Sequence, residues 1–297
     1  MTPFLVESNA LRPFLEVVRA SERIRLLLDG SYLWEPSDTR PLQDPLSYRT
    51  AAFGFGALDV ALDDLYANLL IQLNGSDDNP GIFIGEPDFL TASLSEIKQV
   101  VVGNKPGAVI PTANFSPLPL VLAIQRVSLA AAHVSQSSVM RIIKLTDPHI
   151  TNLPRFLSAP DGVHAFGAIQ KPFVALAMEN RSLANPVSLD YFAIAQGIED
   201  VATNGPRVVR NARQISDNFR SILGFELMHA AQAIDLRCQS NAEINISSAT
   251  DALLMQYRDR VPFLSRDNHI LTNDIHESRN YLAGCRRESQ SVGIICN

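Results

Sequence analysis

The residues best able to do chemistry in this 297-residue chain lie in short polar clusters scattered along it. Gln43-Asp44-Pro45 stands just ahead of Arg49, and a proline at that point predicts a helix start, with the arginine one to two turns in. A guanidinium so placed either pairs with a surface acid or presents a two-pronged fork to the carboxylate of a ligand. Asn74-Gly75-Ser76-Asp77-Asp78-Asn79-Pro80 is a run of turn formers. It reads as a helix terminus closed by Asx bonds, or as a rigid loop that orders neighbouring site residues. Glu199-Asp200, just ahead of Pro206, supplies either first-turn acids or a general base pair. His269 with Asp274, His276 and Glu277 comes nearest to a metal-binding spacing, but histidines near acids are commonplace and no metal site is assigned. His133, in an alanine-rich stretch, reads as a packed residue. The chain holds no phosphate loop, dinucleotide glycine motif, G-x-S-x-G or H-E-x-x-H, so neither a nucleotide nor a metal cofactor is expected.

The elements that must position these residues are mostly helical. Leu58, Leu62, Leu65, Leu69 and Leu73 recur on one helical face that ends at the Asn74 cluster. Ser116-Pro117 opens a second helix with the stripe Leu120, Ile124, Val127, Ala131, Val134. A third is predicted from about His164 to Leu183. The longest starts at Gly205-Pro206 and runs on through Ile215, Ile222, Leu227 and Ile234, with Gly224 its only breaker. At about 1.5 Å per residue its roughly 30 residues would span about 45 Å, which suits an elongated bundle or helices shared between subunits. Ile82-Phe83-Ile84 and Gln99-Val100-Val101-Val102 are short enough to form a small hairpin inside an irregular excursion over about 75–112. The fold class is mainly α, and residues 1–297 read as a single region.

Composition bounds the function from outside. The chain is 46% hydrophobic and 19% charged, too apolar for disorder, with a net charge of −6. Its basic residues are scattered, the densest cluster being Arg286-Arg287, so no nucleic-acid or anionic-membrane partner is expected. The apolar stretch Leu118–Val134 carries Gln125 and Arg126 at its centre and is not expected to span a membrane. Three cysteines, Cys238, Cys285 and Cys296, read as reduced thiols, and a cytoplasmic location is expected.

Taken in order, several segments resemble the aromatic amino acid ammonia-lyase family, which includes the histidine, phenylalanine and tyrosine lyases and related aminomutases. They are Asn9-Ala10-Leu11-Arg12-Pro13, Leu42-Gln43-Asp44-Pro45-Leu46-Ser47-Tyr48-Arg49, the run from Leu73 to Pro80, and Ala113-Asn114-Phe115. Further on come Leu153-Pro154-Arg155-Phe156-Leu157, Gln170-Lys171, Met178-Glu179-Asn180-Arg181, Asn185-Pro186-Val187-Ser188-Leu189-Asp190 and Gly197-Ile198-Glu199-Asp200. Each is short; their order and separations over nearly the whole chain carry the resemblance. It is to the family's C-terminal half. The family's electrophile, a methylidene-imidazolone ring, forms from an Ala-Ser-Gly tripeptide in the N-terminal half, and no Ala-Ser-Gly occurs here.

The resemblance implies a helical bundle assembled as a tetramer, with active sites built from several subunits and a reaction that expels ammonia to leave an α,β-unsaturated acid. Carried over by position, Arg49 would bind the substrate carboxylate and Gln43 would hydrogen-bond the ring or the amino group. Asn114 and Phe115 would line the pocket, and Glu199 would lie near the amino group or side chain. Asn74, Asp78, Asn79 and Gln170 would order these groups without touching substrate. Departures are Leu46 where the family usually has tyrosine, Ser116 where histidine is common, Gln72 in place of a frequent glutamate and Val201 in place of the histidine lyases' histidine. Tyr48, one residue from Arg49, should point elsewhere on a helix.

Three functional expectations follow from the resemblance. In the first, the chain is half of an ammonia-lyase-type enzyme acting on an aromatic or related amino acid. A second polypeptide resembling the N-terminal half would then bring the ring, in a homo- or hetero-oligomer that is inactive without it. In the second, the chain is a degenerate, non-catalytic relative serving as a binding or scaffolding subunit. In the third, it is a piece of a longer enzyme.

Overall fold

The structure, a computed structural model, describes residues 1–36, 43–85, 98–159, 162, 164–266, 269–287 and 294–296. Leu42, which opens the Gln43 motif, lies outside the described residues. Ten α-helices carry most of the described chain. The first four are α1 (Val6–Ala10), α2 (Leu15–Leu27), α3 (Leu46–Arg49) and α4 (Ala51–Asn74). Then come α5 (Leu118–Leu145), α6 (Pro148–Thr151), α7 (Gln170–Leu183), α8 (Gly205–Ser240), α9 (Ser248–Arg258) and α10 (Leu271–Gly284). The mainly α class expected from periodicity holds, and the segment expected over about 164–183 resolves into a 3-10 turn at Ala165–Ile169 leading into α7.

The chain divides into two compact units. One comprises Met1–Ala61, Val127–Asn185 and Asn211–Asn297; the other comprises Leu62–Arg126 and Pro186–Arg210. The core of the first unit forms because α8 turns one face inward, with Ile215, Ile222, Phe225, His229, Gln232 and Leu236 buried at spacings of three, four or seven. Phe173 of α7 meets Phe225 edge-on at 5.5 Å. Tyr257 of α9 and Tyr281 of α10 close the same cluster. Gly224 breaks nothing: a Cβ there would come within 3.2 Å of the Arg279 backbone nitrogen, so the glycine is what lets α10 lie close against α8. A smaller cluster of Phe4, Val17, Ala20 and Ala52 joins α2 to the start of α4.

In the second unit the stretch read as an irregular excursion contains an antiparallel sheet of order β1-β3-β2, from β1 (Gly81–Ile84), β2 (Lys98–Val102) and β3 (Lys105–Ile110). The two strands expected to pair as a hairpin do not pair with each other. β3 lies between them, with Gly81 opposite Ile110 on one side and Val102 opposite Lys105 on the other. Pro106 and Gly107 hid this strand, because both weaken a strand pattern in sequence. Pro106 sits beside the tight turn at Gly103-Asn104, where its carbonyl still accepts from the Gly85 amide at 2.8 Å.

Two other expectations change. His133 is exposed on α5, in a groove of about 470 Å³ with Leu129, Met178 and Arg181; the alanines beside it are too small to enclose it. Cys285 is disulfide-bonded, and the register of β4 (Cys285–Arg287) with β5 (Ile294–Cys296) sets Cys296 opposite it, while Cys238 is a free thiol. Odd cysteine number concealed a strand pairing that only the fold provides. Over its full length α5 is long and apolar enough to cross a membrane by length and composition. Its polar side chains are nonetheless tied to protein partners: Arg126 to Asp64, Ser135 to Asn180, and Arg141 to Glu226.

Candidate functional site

In the first unit the motif around Arg49 folds as a single helical turn. Pro45 takes the cap position, and its carbonyl accepts from the amides of Tyr48 at 3.0 Å and Arg49 at 3.2 Å. The turn is held by a neighbour far away in sequence. The Tyr48 hydroxyl donates to the Arg141 carbonyl at 2.8 Å, and Arg141 Nη1 donates to the Ser47 carbonyl at 3.2 Å. Arg141 is itself gripped by Glu226 of α8 along one guanidinium edge, Nε donating to Oε1 and Nη2 to Oε2 at 2.9 Å, and the Ser138 hydroxyl donates to the same carboxylate. Burial, with Glu226 nearby, pushes the Tyr48 phenol well above its ordinary range, so it remains a donor. As the sequence anticipated, Tyr48 and Arg49 diverge.

Arg49 is half-buried and donates from Nη1 to Gln43 Oε1 at 2.8 Å. Among the described residues no carboxylate pairs with it. The surface-ion-pair alternative thus finds no partner among the described residues, and the amide contact orients the guanidinium without neutralising it. Leu46 is 67% exposed beside them. Gln170, also in this unit, begins α7 and donates from Nε2 to Thr146 Oγ1 at 3.2 Å.

In the second unit the turn cluster acts as a brace. Asn74 donates back to the Leu70 carbonyl at 2.7 Å and closes α4. Asn79 Oδ1 accepts from the Thr112 amide at 2.9 Å, and the Asp78 carbonyl accepts from the Thr112 hydroxyl at 2.7 Å. That hydroxyl in turn accepts from the Asn114 amide at 3.4 Å. The brace fixes the segment between β3 and α5 that carries Asn114 and Phe115, with Phe115 61% exposed. Glu199 exchanges backbone hydrogen bonds with Ile194 around a tight loop in which Ala195, Gln196 and Gly197 all have positive φ. Its side chain is exposed in a stretch where Phe192, Ile198 and Val201 are exposed as well.

His269 lies ahead of α10 rather than on it, and its Nε2 meets Asp274 Oδ2 at 2.6 Å. No group of three or more His, Cys, Asp or Glu is placed to hold a metal among the described residues. Sequence reading missed Arg141 and Glu226. The signal available was a charge set among the small and apolar residues of each long helix.

A model of the family described as aromatic amino acid lyase matches residues 1–259. The chain belongs to the aromatic amino acid lyase family. Among curated members it is 31% identical over 269 residues to a histidine ammonia-lyase of Anaeromyxobacter dehalogenans, covering 89% of this chain and 48% of that protein. It is 32% identical over 267 residues to one from Geobacillus thermodenitrificans, with the same coverage. Among solved structures, the ergothioneine-degrading enzyme ergothionase from Treponema denticola is 33% identical. It superimposes with a TM-score of 0.78 over 95% of this chain and 52% of that one. Histidine ammonia-lyase from Trypanosoma cruzi shares the fold with a TM-score of 0.77 at 22% identity, covering 95% of this chain and 48% of that one. The chain therefore spans about half the length of the lyase-family relatives it matches.

Proposed function

We propose that this chain is the half of an ammonia-lyase-type enzyme that binds the carboxylate of an aromatic or related amino acid. The other half, with its ring, would come from a second polypeptide. The observation that carries this reading is Arg49: half-buried, held by an amide, and with no carboxylate partner among the described residues. A bidentate guanidinium–carboxylate pair is the interaction such a group lacks and a substrate would complete.

The methylidene-imidazolone ring, when bound, supplies the electrophile for loss of ammonia. Arg49 engages Gln43 Oε1 and leaves the Gln43 amide nitrogen to donate, a donor that would suit the negative charge such a ring gains as it reacts. Arg49 anchors and orients the substrate. In active sites built from several subunits, as the resemblance implies, Glu199, with an exposed side chain, would take or hold a proton near a substrate's amino group, and Asn114 and Phe115 would contact its body. Leu46 favours a second reading, a non-catalytic subunit, because a leucine neither transfers a proton nor donates a hydrogen bond.

Native mass of the protein purified from its own source, with an absorbance assay for unsaturated acid, separates the two. The substrates to offer are histidine, phenylalanine, tyrosine and, given the ergothionase relative, ergothioneine. The lyase reading expects a co-purified polypeptide of roughly 20–30 kDa, by domain scaling, and ammonia release that Arg49→Gln lowers about 10- to 100-fold. A homo-oligomer without product overturns it in favour of the non-catalytic subunit.

A further inference from the structure

We propose that Glu226, Arg141 and Tyr48 form a positioning relay that fixes the direction of the Arg49 guanidinium. The inference deepens the carboxylate-binding reading and rests on it. A one-turn helix has too few internal hydrogen bonds to hold a side chain in place, because most of its polar backbone groups lack intrahelical partners. Here one such backbone group is met from outside, the Ser47 carbonyl receiving Arg141 Nη1, and the Tyr48 side chain is also pinned to the Arg141 carbonyl. One arginine thus contacts α3 from both its side chain and its backbone.

Arg141 can do this only if its own plane is fixed. Glu226 grips Nε and Nη2 and leaves Nη1 directed at Ser47, while Ser138 holds the carboxylate from the side. The Phe55 ring lies 5.6 Å from the guanidinium carbon, on the same helix that follows α3. A lysine could not reproduce this arrangement, because three donors in one plane are needed at once. The relay ties α8 and α5 to α3, the turn that ends at Arg49. Arg49 is the next residue after Tyr48, so the carboxylate fork inherits its aim.

The test uses the full chain and two measurements. In the first, amide exchange over residues 46–50 is compared between wild type, Tyr48→Phe and Arg141→Lys, with α9 as the internal reference. Loss of one hydrogen bond of ordinary strength should raise exchange there about fivefold and leave α9 unchanged. The second measures protection of Arg49 from phenylglyoxal by benzoate, read by peptide mass spectrometry. Wild type should be protected, and Tyr48→Phe should need about fivefold more benzoate for equal protection, which a purely structural role would not demand. If the variants match wild type in exchange or in benzoate requirement, the relay is wrong. If benzoate fails to protect Arg49 in wild type while exchange over 46–50 responds, the carboxylate reading falls and the relay stands only as a clamp on α3.

Discussion

At the scale of single residues, one strongly shifted titratable group is not among the candidate site residues. His229 is fully buried, its Nδ1 donates to the Phe225 carbonyl at 2.7 Å, and its Nε2 has no hydrogen-bond partner. Phe166 and Phe173 flank the ring at 4.5 and 5.7 Å between centroids. Burial lowers its pKa to about 4, against an ordinary 6.5. The unfolded chain therefore takes up a proton between those two values that the folded chain refuses. The stabilisation from neutral His229 is complete above about pH 6.5 and lost as pH falls toward 4, at up to ~1.4 kcal/mol per pH unit. Urea unfolding of wild type and His229→Gln at pH 7.5 and pH 5 checks this: wild type should lose the greater stability on acidification. Equal losses would remove His229 as the cause. Arg49 and Gln43 were legible in sequence because a proline-capped turn brings them together locally. His229 was not, nor was the Arg141–Glu226 pair, whose partners stand 85 positions apart and meet only through packing.

At the scale of elements, two glycines near the start of α4 make opposite demands. A Cβ at Gly56 would lie 2.8 Å from the Glu16 backbone carbon and oxygen, where α2 crosses; one at Gly54 would touch only Val134 Cγ2, at 3.5 Å. Gly56→Ala must push two backbones apart and should cost about 1–3 kcal/mol. Gly54→Ala meets ordinary contact and gains helix propensity, which is worth up to about 1 kcal/mol. Thermal melts should move in opposite directions, and a neutral Gly56→Ala would show that α2 and α4 are not so closely seated. The long helices were readable because apolar residues recurred every three or four positions over many turns. β3 was not, since a six-residue strand carrying proline and glycine offers no pattern. The close helix crossings were equally hidden, as a glycine inside a helical pattern looks like a defect until its neighbour is seen.

At the scale of the whole molecule, the exposed face of α4 poses the question. The leucine stripe that reads so clearly in sequence is not buried within the chain: Leu62, Leu69 and Leu73 are exposed, together with Tyr66, Leu70 and Ile71. An apolar helix face of this length is a place for other helices rather than for water. The relatives, about twice as long, are consistent with this chain being half of a larger assembly. Sedimentation of the purified chain should therefore report a mass well above 32.6 kDa. Leu69→Glu with Ile71→Glu should lower that mass while leaving the helical circular dichroism unchanged, because neither side chain belongs to the buried core. A chain that stayed monodisperse and monomeric at high concentration would sink the shared-bundle account. A double variant that kept the wild-type mass would instead move the contact surface away from α4.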